Sequence, residues 1–383
     1  MKMRMSRHPH LAIFSLAAIH LLLFFICPVS GRIYQTNDAV VIEVDGVGPS
    51  NFAIRNFANP APIPMMYAVN PYTGLSYQEQ PNFPFWPYPL YQPASSVSNV
   101  DDVTTNTPQS RQQNIACGVG PDAPPQRKNP TVGIAGGSSA KPNSWPFVVG
   151  LRSDDSNTVV CGGSIISTTR ILTAAHCVDQ LSASKISAMT VSLGMHTQGG
   201  GNGFVNDAQQ TRRVSRVVYH KDFNRKTKQN DVAVLTIDPP INYSKAISPV
   251  CLPEFNNAAD QFVDKNAVIM GWGKVSSSGS QWNELKQATV QITSKEKCNK
   301  IWAFIPNSPF FIFNQHICAG ADGKDTCPGD SGGPMVVQTD ADSIAWTQVG
   351  VTSYGGCVGS STIPSVYANV AFFRKWIDTY MRS

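Results

Sequence analysis

The pattern of apolar and polar positions divides the chain of 383 residues into three parts. Residues 1–31 combine a basic start with a nearly unbroken apolar run from Leu11 to Ile26. Residues 32–133 are rich in proline and polar residues, and only the stretch from Ala39 to Val44 is apolar enough to predict a strand. From Ile134 to Ser383, short apolar runs alternate with segments that contain glycine and proline.

The first part predicts a secretory signal peptide. Lys2, Arg4 and Arg7 supply the positive start, and the small residues Ser30 and Gly31 suit cleavage after Gly31. The alternative is a signal anchor, but a membrane span needs about 20 apolar residues, and this run is shorter. The favoured prediction is therefore a secreted, extracellular protein that leaves the membrane after signal cleavage.

The second part, residues 32–133, predicts a largely disordered pro-region. Proline removes backbone donors and interrupts regular elements, and the segment from Pro81 to Pro93 reads PNFPFWPYPLYQP. A run rich in Ser, Thr, Asn and Gln follows, from Ser95 to Asn114. Peptide binding by the aromatic residues is an alternative that nothing else in the sequence supports.

The third part, residues 134–383, predicts an all-β domain. Its apolar runs, separated by turn residues, are FVVGL, SIISTTRILTAAH, VAVLTI, AVIMGWG, ATVQIT, MVVQ and WTQVGVTSYG. Many short strands with Gly and Pro between them indicate a barrel or a sandwich. One helix is predicted at the C-terminus, because Phe373, Trp376, Ile377 and Tyr380 recur at helical spacing.

Composition adds three expectations. The formal net charge of +5 is modest for this length and indicates no nucleic-acid partner. Of the nine cysteines, eight remain once the leader and its Cys27 are removed, and an even number in a secreted chain predicts four disulfides. Zinc binding is the less favoured alternative, because the chain has no C-x-x-C or C-x-x-H pair. Asn242, in the sequence NYS, is a predicted N-glycosylation site.

Candidate chemistry lies in three separate segments. His176 stands in LTAAHC, Asp231 in QNDVAVL and Ser331 in KDTCPGDSGGP. A serine hydroxyl is a weak nucleophile that needs a base, a group that orients the base, and donors for the oxyanion. Each motif alone is a common structural feature. Their occurrence in the order His, Asp, Ser, with spacings of 55 and 100 residues, is far more specific.

On these motifs, residues 134–383 resemble the chymotrypsin/trypsin family of serine proteases. The matching segments, in family order, are IAGG, SWPF, CGGSII, TAAHC, NDVAVL, MGWG, CPGDSGGP and TSYGGC. The resemblance implies two six-stranded antiparallel β-barrels with a C-terminal helix. It also implies an endopeptidase without a cofactor or a metal. Met195 stands where family members use a glutamate for calcium, so we expect no calcium site.

The family mechanism assigns a role to each residue by resemblance. Ser331 attacks the scissile carbonyl, His176 transfers its proton, and Asp231 orients the imidazole. The N–H groups of Gly329 and Ser331 form the oxyanion hole. The first of the four implied disulfides would hold a cleaved pro-region on the catalytic domain. The implied pairs are Cys117–Cys251, Cys161–Cys177, Cys298–Cys318 and Cys327–Cys357.

The resemblance also implies a substrate pocket. Asp325 would form its floor and attract Arg or Lys, although an ordinary loop aspartate is the alternative. Ser353, Tyr354 and Gly355 match the segment that pairs with the substrate backbone. Ser365 replaces a pocket-lining glycine that trypsins usually carry, so a preference for other side chains is a second alternative.

Activation departs from the family pattern. Family zymogens are usually cut after a basic residue, and the new amino group pairs with the aspartate before the nucleophile, here Asp330. In this chain Gly133 precedes Ile134, and a cut after Arg127 or Lys128 would leave the terminus several residues too long. A different protease therefore cuts after Gly133, or trimming follows, or activation is impaired.

The sequence thus predicts a secreted serine endopeptidase, made as a zymogen, that cuts after Arg or Lys. Its expected partners are protein or peptide substrates, serpin-type or other protease inhibitors, and an activating protease. The alternative is a protease-like binding or regulatory protein that never turns over. The intact triad argues against this alternative, and Gly133 leaves it open.

Overall fold

The structure, a computed structural model, describes residues 31–44, 67–69, 76–78, 116–120, 137–153, 158–198, 209–258, 260–276, 278–305, 311–321, 323–340, 343–357 and 363–382. Residues 1–30 of the predicted signal peptide, much of the predicted pro-region and the bond between Gly133 and Ile134 lie outside these ranges. Among the described helices, none is both long and apolar enough to cross a membrane.

The described residues form strands and a few helices, numbered here in chain order. The strands are Gly31–Gln35 (β1), Ala39–Val44 (β2), Tyr67–Val69 (β3), Ser76–Gln78 (β4), Ser138–Ser139 (β5), Val148–Arg152 (β6), Cys161–Ile165 (β7), Arg170–Thr173 (β8), Thr190–Leu193 (β9), Gln210–His220 (β10), Ala233–Asp238 (β11), Asn266–Gly271 (β12), Lys286–Thr293 (β13), His316–Gly320 (β14), Pro334–Gln338 (β15), Trp346–Tyr354 (β16) and Ser365–Asn369 (β17). The helices are Ala183–Ala188 (α1), Lys295–Ala303 (α2) and Val370–Arg382 (α3), and a 3₁₀ turn covers Ala175–Cys177.

Six antiparallel strands close into a first barrel. They follow the order β10-β11-β8-β7-β6-β9, and pairing of β9 with β10 closes the ring. The interior is filled by fully buried aliphatic side chains such as Leu151, Ile171, Leu193 and Leu235. Each of these strands finds partners within the ring, which is how a barrel satisfies its backbone hydrogen bonds.

A second barrel has the order β12-β15-β16-β17-β14-β13 and is closed by the pairing of β12 with β13. In β13, buried Ala288, Val290 and Ile292 alternate with more exposed residues, as expected of a strand with one face on the core. β16 is buried along almost its whole length, and its Gln348 accepts a hydrogen bond from Ser164 of the first barrel at 2.5 Å. The predicted pair of six-stranded barrels is confirmed.

The C-terminal helix was also predicted correctly. In α3, the four residues at helical spacing, Phe373, Trp376, Ile377 and Tyr380, are all buried. The rings of Phe373 and Trp376 lie 6.0 and 5.8 Å from that of His220, at the end of β10. The helix therefore covers the first barrel, although it follows the last strand of the second.

The strand predicted from Ala39 to Val44 is confirmed as β2, and its position adds to the expected architecture. It forms an antiparallel hairpin with β1, and this hairpin joins the sheet of the first barrel by pairing with β10. Gly31, placed at the end of the predicted leader, is the first residue of β1. The predicted disorder of the remaining pro-region stays a prediction.

Candidate active site

His176 and Asp231 are brought together by the first barrel. His176 lies in the 3₁₀ turn that follows β8, where the Cys161–Cys177 disulfide links the turn to β7. Asp231 precedes β11, the strand paired with β8. Its two carboxylate oxygens accept from the backbone N–H of His176 at 2.9 Å and contact His176 Nδ1 at 2.8 Å. The two contacts fix both the position and the orientation of the imidazole ring.

Asp231 has a third partner from the second barrel. Ser353, near the end of β16, donates its hydroxyl to Asp231 Oδ2 at 2.5 Å. Burial by itself raises the pKa of the Asp231 carboxyl, but the charge and hydrogen bonds of His176 and the hydrogen bond from Ser353 outweigh it. The pKa of Asp231 therefore lies below its ordinary value, and the fully buried carboxylate stays ionised at neutral pH.

The Ser331 loop is held against both of these residues by backbone contacts. The Ser331 carbonyl accepts from Gly162 N at 2.7 Å, on the strand that the Cys161–Cys177 disulfide ties to the histidine turn. The next residue, Gly332, donates its N–H to the Thr352 carbonyl at 2.8 Å, one residue before Ser353. Gly332 has a φ of 78°, which suits glycine. The loop is thus fixed next to the His176–Asp231 pair.

The nucleophile–base contact itself is open. Within the described ranges, no hydrogen bond joins Ser331 Oγ to the His176 ring. Such bonds are often long before substrate is bound. His176 Nε2 lies 3.9 Å from Cys177 Sγ, and this sulfur belongs to the disulfide with Cys161, so it offers no thiolate to a metal.

The two amides expected to form the oxyanion hole lie on the same loop. In the described part of the chain, neither the Gly329 N–H nor the Ser331 N–H donates to an acceptor. Gly329 has a φ of 104°, and a Cβ there would lie 2.6 Å from Gln281 Nε2 and 3.0 Å from Gly273 Cα. Only glycine fits this position, and the loop leaves two donors available near the serine hydroxyl.

The predicted pocket floor is a buried polar cluster. Asp325 is 3% exposed, and its carboxylate accepts a hydrogen bond from the hydroxyl of Ser365, which is equally buried. Thr326 Oγ1 lies 2.9 Å from the same hydroxyl. A Cβ at Gly355 would lie 2.5 Å from Ser365 Oγ and 3.0 Å from Asp325 Oδ1, so its backbone packs directly on both groups. The neighbouring Lys324 turns away and donates to the Thr289 carbonyl at 3.4 Å.

Asp330 is buried beneath the Ser331 loop without an ionic partner in the described structure. Its carboxylate accepts from Gly273 N at 2.7 Å and from Cys327 N at 3.0 Å. Burial is the main influence and raises the pKa of Asp330 to about 6, although the two amides act in the opposite direction. The residues expected to pair with it on activation, Gly133 and Ile134, lie outside the described ranges.

The four implied cysteine pairs are all disulfide-bonded in the structure. The bonded pairs are Cys117–Cys251, Cys161–Cys177, Cys298–Cys318 and Cys327–Cys357. The last of these ties the residues before Ser331 to the end of the segment that includes Gly355. Asn242, the predicted glycosylation site, is exposed, so its amide is accessible.

Sequence reasoning missed two polar contacts around the His176–Asp231 pair. Ser353 was expected only to face the substrate backbone, yet its side chain bonds to Asp231. Arg225 was not singled out, but it donates to the His176 carbonyl at 3.2 Å and forms an ion pair with Asp179 at 2.6 Å. Lys221, Lys226 and Lys228 are close neighbours of Arg225 in the sequence, and no sequence signal separates Arg225 from them.

Two closed β-barrels with a serine, a histidine and an aspartate gathered between them define the chymotrypsin-like class of fold. Residues 134–377 match the family described as Trypsin, and the chain belongs to this family. The clotting factor G beta subunit of Tachypleus tridentatus is 32% identical over 250 residues, which cover 64% of this chain and 78% of the relative. The venom peptide isomerase heavy chain of Agelenopsis aperta is 32% identical over 255 residues, covering 65% of this chain and all of the relative.

Proposed function

We propose that this protein is a secreted serine endopeptidase, made as a zymogen, that hydrolyses peptide bonds after Arg or Lys. The observation that carries the proposal is the hydrogen-bonded series Ser353–Asp231–His176 beside a loop that presents Ser331 and two amides without acceptors. The four disulfides support an oxidising, extracellular environment. No step of the mechanism requires a cofactor.

The chemistry follows the family's acyl-enzyme mechanism. Ser331 Oγ attacks the scissile carbonyl carbon and its proton passes to His176 Nε2. Asp231, kept ionised by its partners, stabilises the imidazolium through Nδ1. The oxyanion accepts from the Gly329 and Ser331 amides. The C–N bond then breaks as His176 protonates the leaving amine. Water next attacks the acyl carbon while His176 takes its proton, and the bond to Ser331 Oγ breaks as His176 returns that proton to the serine.

The buried carboxylate of Asp325 supports a preference for Arg or Lys, because the negative charge of a carboxylate at the pocket floor attracts a cationic side chain that enters the pocket. Ser365 modifies this preference, since its hydroxyl donates to one carboxylate oxygen of Asp325. Its side chain also takes up space in the pocket that the glycine usual in trypsins would leave empty. We therefore expect cleavage after Arg or Lys with a restricted pocket.

The proposed zymogen state rests on Asp330. A carboxyl that is buried with only amide donors among the described residues gains most from the arrival of an ammonium group. In the family, that group is the amino terminus freed at the residue equivalent to Ile134. We propose that a cut after Gly133 supplies it, and that the free terminus orders the pocket and the oxyanion hole.

A direct test uses protein that has been cut to expose Ile134, in a matched pair of wild type and Ser331→Ala. We expect a fluorophosphonate to label only the wild type, and Arg or Lys esters to be hydrolysed at least about 10-fold faster than a Phe ester. A correctly cut but inert wild type would support the binding-protein alternative. Faster hydrolysis of the Phe ester would overturn the pocket assignment.

The name of the second relative adds one more outcome to this test. That protein is called a peptide isomerase, so the trypsin fold is associated there with a reaction that its name does not describe as hydrolysis. Mass spectrometry of a peptide substrate separates the two activities, because hydrolysis adds one water and isomerisation leaves the mass unchanged. We expect the addition of water.

A further inference from the structure

The N-terminal hairpin occupies an edge that the first barrel leaves open. β10 has eleven residues, and only its first part, from Gln210 to Arg213, pairs with β9 to close the barrel. Its last part, from Arg216 to His220, pairs antiparallel with β2, residue by residue from Glu43 to Ala39. Without the hairpin, this part of β10 would present unpaired backbone groups on one edge.

The hairpin also shares the hydrophobic core of the barrel. Ala39, Val41, Ile42 and Val44 are between 0% and 4% exposed and pack in the same cluster as the barrel interior. β1 is the outer strand, with all its residues exposed. This packing is typical of an integral strand and not of a loose tether.

The hairpin turn is fixed to the C-terminal helix by polar contacts. The Asp38 carbonyl accepts from Trp376 Nε1 and from Lys221 N, both at 3.1 Å. The Asp38 carboxylate accepts from the Tyr380 hydroxyl at 2.5 Å, and this hydroxyl lies 2.9 Å from Thr36 Oγ1. The turn is thus hydrogen-bonded both to α3 and to Lys221, the residue that follows β10. Lys221 belongs to the segment that connects β10 with Asp231.

A second attachment to the domain lies at Cys117, downstream of the hairpin in the predicted pro-region. Cys117 is disulfide-bonded to Cys251, and the flanking Gly118 donates to the Pro249 carbonyl at 2.7 Å and accepts from Trp346 N at 3.0 Å. In the sequence, residues 45–116 therefore stand between two attachments to the domain, the hairpin and Cys117. The hairpin is attached by non-covalent contacts, whereas Cys117 is attached by a disulfide bond.

We propose that residues 32–44, which remain after the predicted cleavage following Gly31, are a permanent non-covalent part of the catalytic unit, docked as two added strands on the β10 edge. A cut anywhere between residue 45 and Ile134 then leaves the N-terminal segment bound, even where the Cys117–Cys251 disulfide no longer connects it. This inference goes beyond the proposed function, because it holds whether or not Ser331 is a nucleophile.

The test places a recognition sequence for a site-specific protease in the polar run 95–114 of the full chain, in a Ser331→Ala background. After the cut, Cys117 stays with the catalytic part, so the N-terminal fragment is held by the hairpin alone. We expect both pieces to co-elute in native size exclusion at about 1 µM and to separate in guanidinium. Separate elution under native conditions would overturn the proposal.

Two matched variants identify the contact. Val41→Asp places a charge at a position with no exposure, and we expect dissociation to be favoured by about 100-fold or more. Ile33→Asp changes a side chain of β1 that is 63% exposed, and the fragment should stay bound. If the N-terminal fragment were retained equally in both variants, docking through the buried face of β2 would be contradicted.

Folding is checked by the near-UV circular dichroism of the uncut variants. Where Val41→Asp fails to fold, Asp38→Ala replaces it, since this change removes the carboxylate contacts to Tyr380 and to Thr36 and leaves the buried face of β2 intact. We expect it to weaken retention by about 10-fold, and retention identical to the parent would count against the proposal. Hydrogen exchange gives an independent measurement, because the amides of residues 216–220 that pair with β2 should lose protection only when the fragment leaves.

Discussion

The buried carboxyl of Asp330 makes the stability of the uncut protein dependent on pH. Burial raises its pKa from 3.8 to about 6. Between these values the native state holds a proton that the unfolded chain has released, so the free energy of unfolding falls as the pH rises. Each pKa unit corresponds to about 1.4 kcal/mol. Ionisation of Asp330 therefore costs the uncut protein about 3 kcal/mol by pH 7.5.

The substitution Asp330→Asn removes the titrating group, in a Ser331→Ala background that prevents self-digestion. The amide loses one of two accepted backbone bonds, which shifts the stability equally at every pH, so the informative quantity is the pH dependence of the difference. Unfolding in denaturant at pH 3.5 and 7.5 measures it. We expect the free energy of unfolding of the Asp330 protein, minus that of the variant, to fall by about 3 kcal/mol between the two pH values.

The control is Asp340→Asn, which removes a carboxylate from an exposed position. A difference for Asp330→Asn that stays constant with pH would refute the argument that burial without a cation governs this group. The same measurement after a cut at Ile134 tests the zymogen proposal. If the freed amino group pairs with Asp330, the loss of stability toward pH 7.5 should disappear, because the charged carboxylate is then the favoured form.

Two further predictions concern the substrate pocket and the base. Ser365→Gly removes the hydroxyl that donates to Asp325 and opens the proposed pocket, so kcat/KM for an Arg ester should rise about 10-fold while that for a Phe ester changes little. Equal changes for both esters would contradict a role in charge recognition. Ser353→Ala removes a hydrogen bond to Asp231, so kcat should fall about 10-fold at nearly constant KM, as measured by ester hydrolysis; an unchanged kcat would show that His176 alone holds the carboxylate in place.

The sequence predicted the strand-rich domain and its C-terminal helix because each rests on a local pattern. The spacing of Phe373, Trp376, Ile377 and Tyr380 defines one face of a helix, and all four residues are buried as expected. Strand number and barrel closure came instead from the family motifs, since short apolar runs are equally compatible with a sandwich. The structure provides the closing pairs, β9 with β10 and β12 with β13.

The hairpin shows that such local patterns predict a strand but not its pairing partner. The run from Ala39 to Val44 predicts a strand because it is short, apolar and rich in β-branched residues. Nothing in it identifies β10 as its partner, more than 170 residues away, because strand pairing is decided by complementary edges in the folded state. The same holds for Ser353 and Ser365, since a hydroxyl bonded to a carboxylate and a hydroxyl that faces water look alike in a sequence.

Asp231 and Asp330 show how partners decide the charge of a carboxyl group when burial is similar. Both are 2% exposed or less and both accept backbone hydrogen bonds, yet the pKa of one is lowered and that of the other is raised. Asp231 faces an imidazole that can take a positive charge, and Ser353 adds a second side-chain donor. Asp330 has amide donors only within the described structure. Asp330 belongs to the Ser331 loop and Asp231 is bonded to His176, so we expect a cation brought to Asp330 to act on the loop that carries the expected oxyanion donors more than on the His176–Asp231 pair. In the zymogen that we propose, this separation would allow a folded, disulfide-bonded domain to hold the His176–Asp231 pair in place before a new charge reaches Asp330.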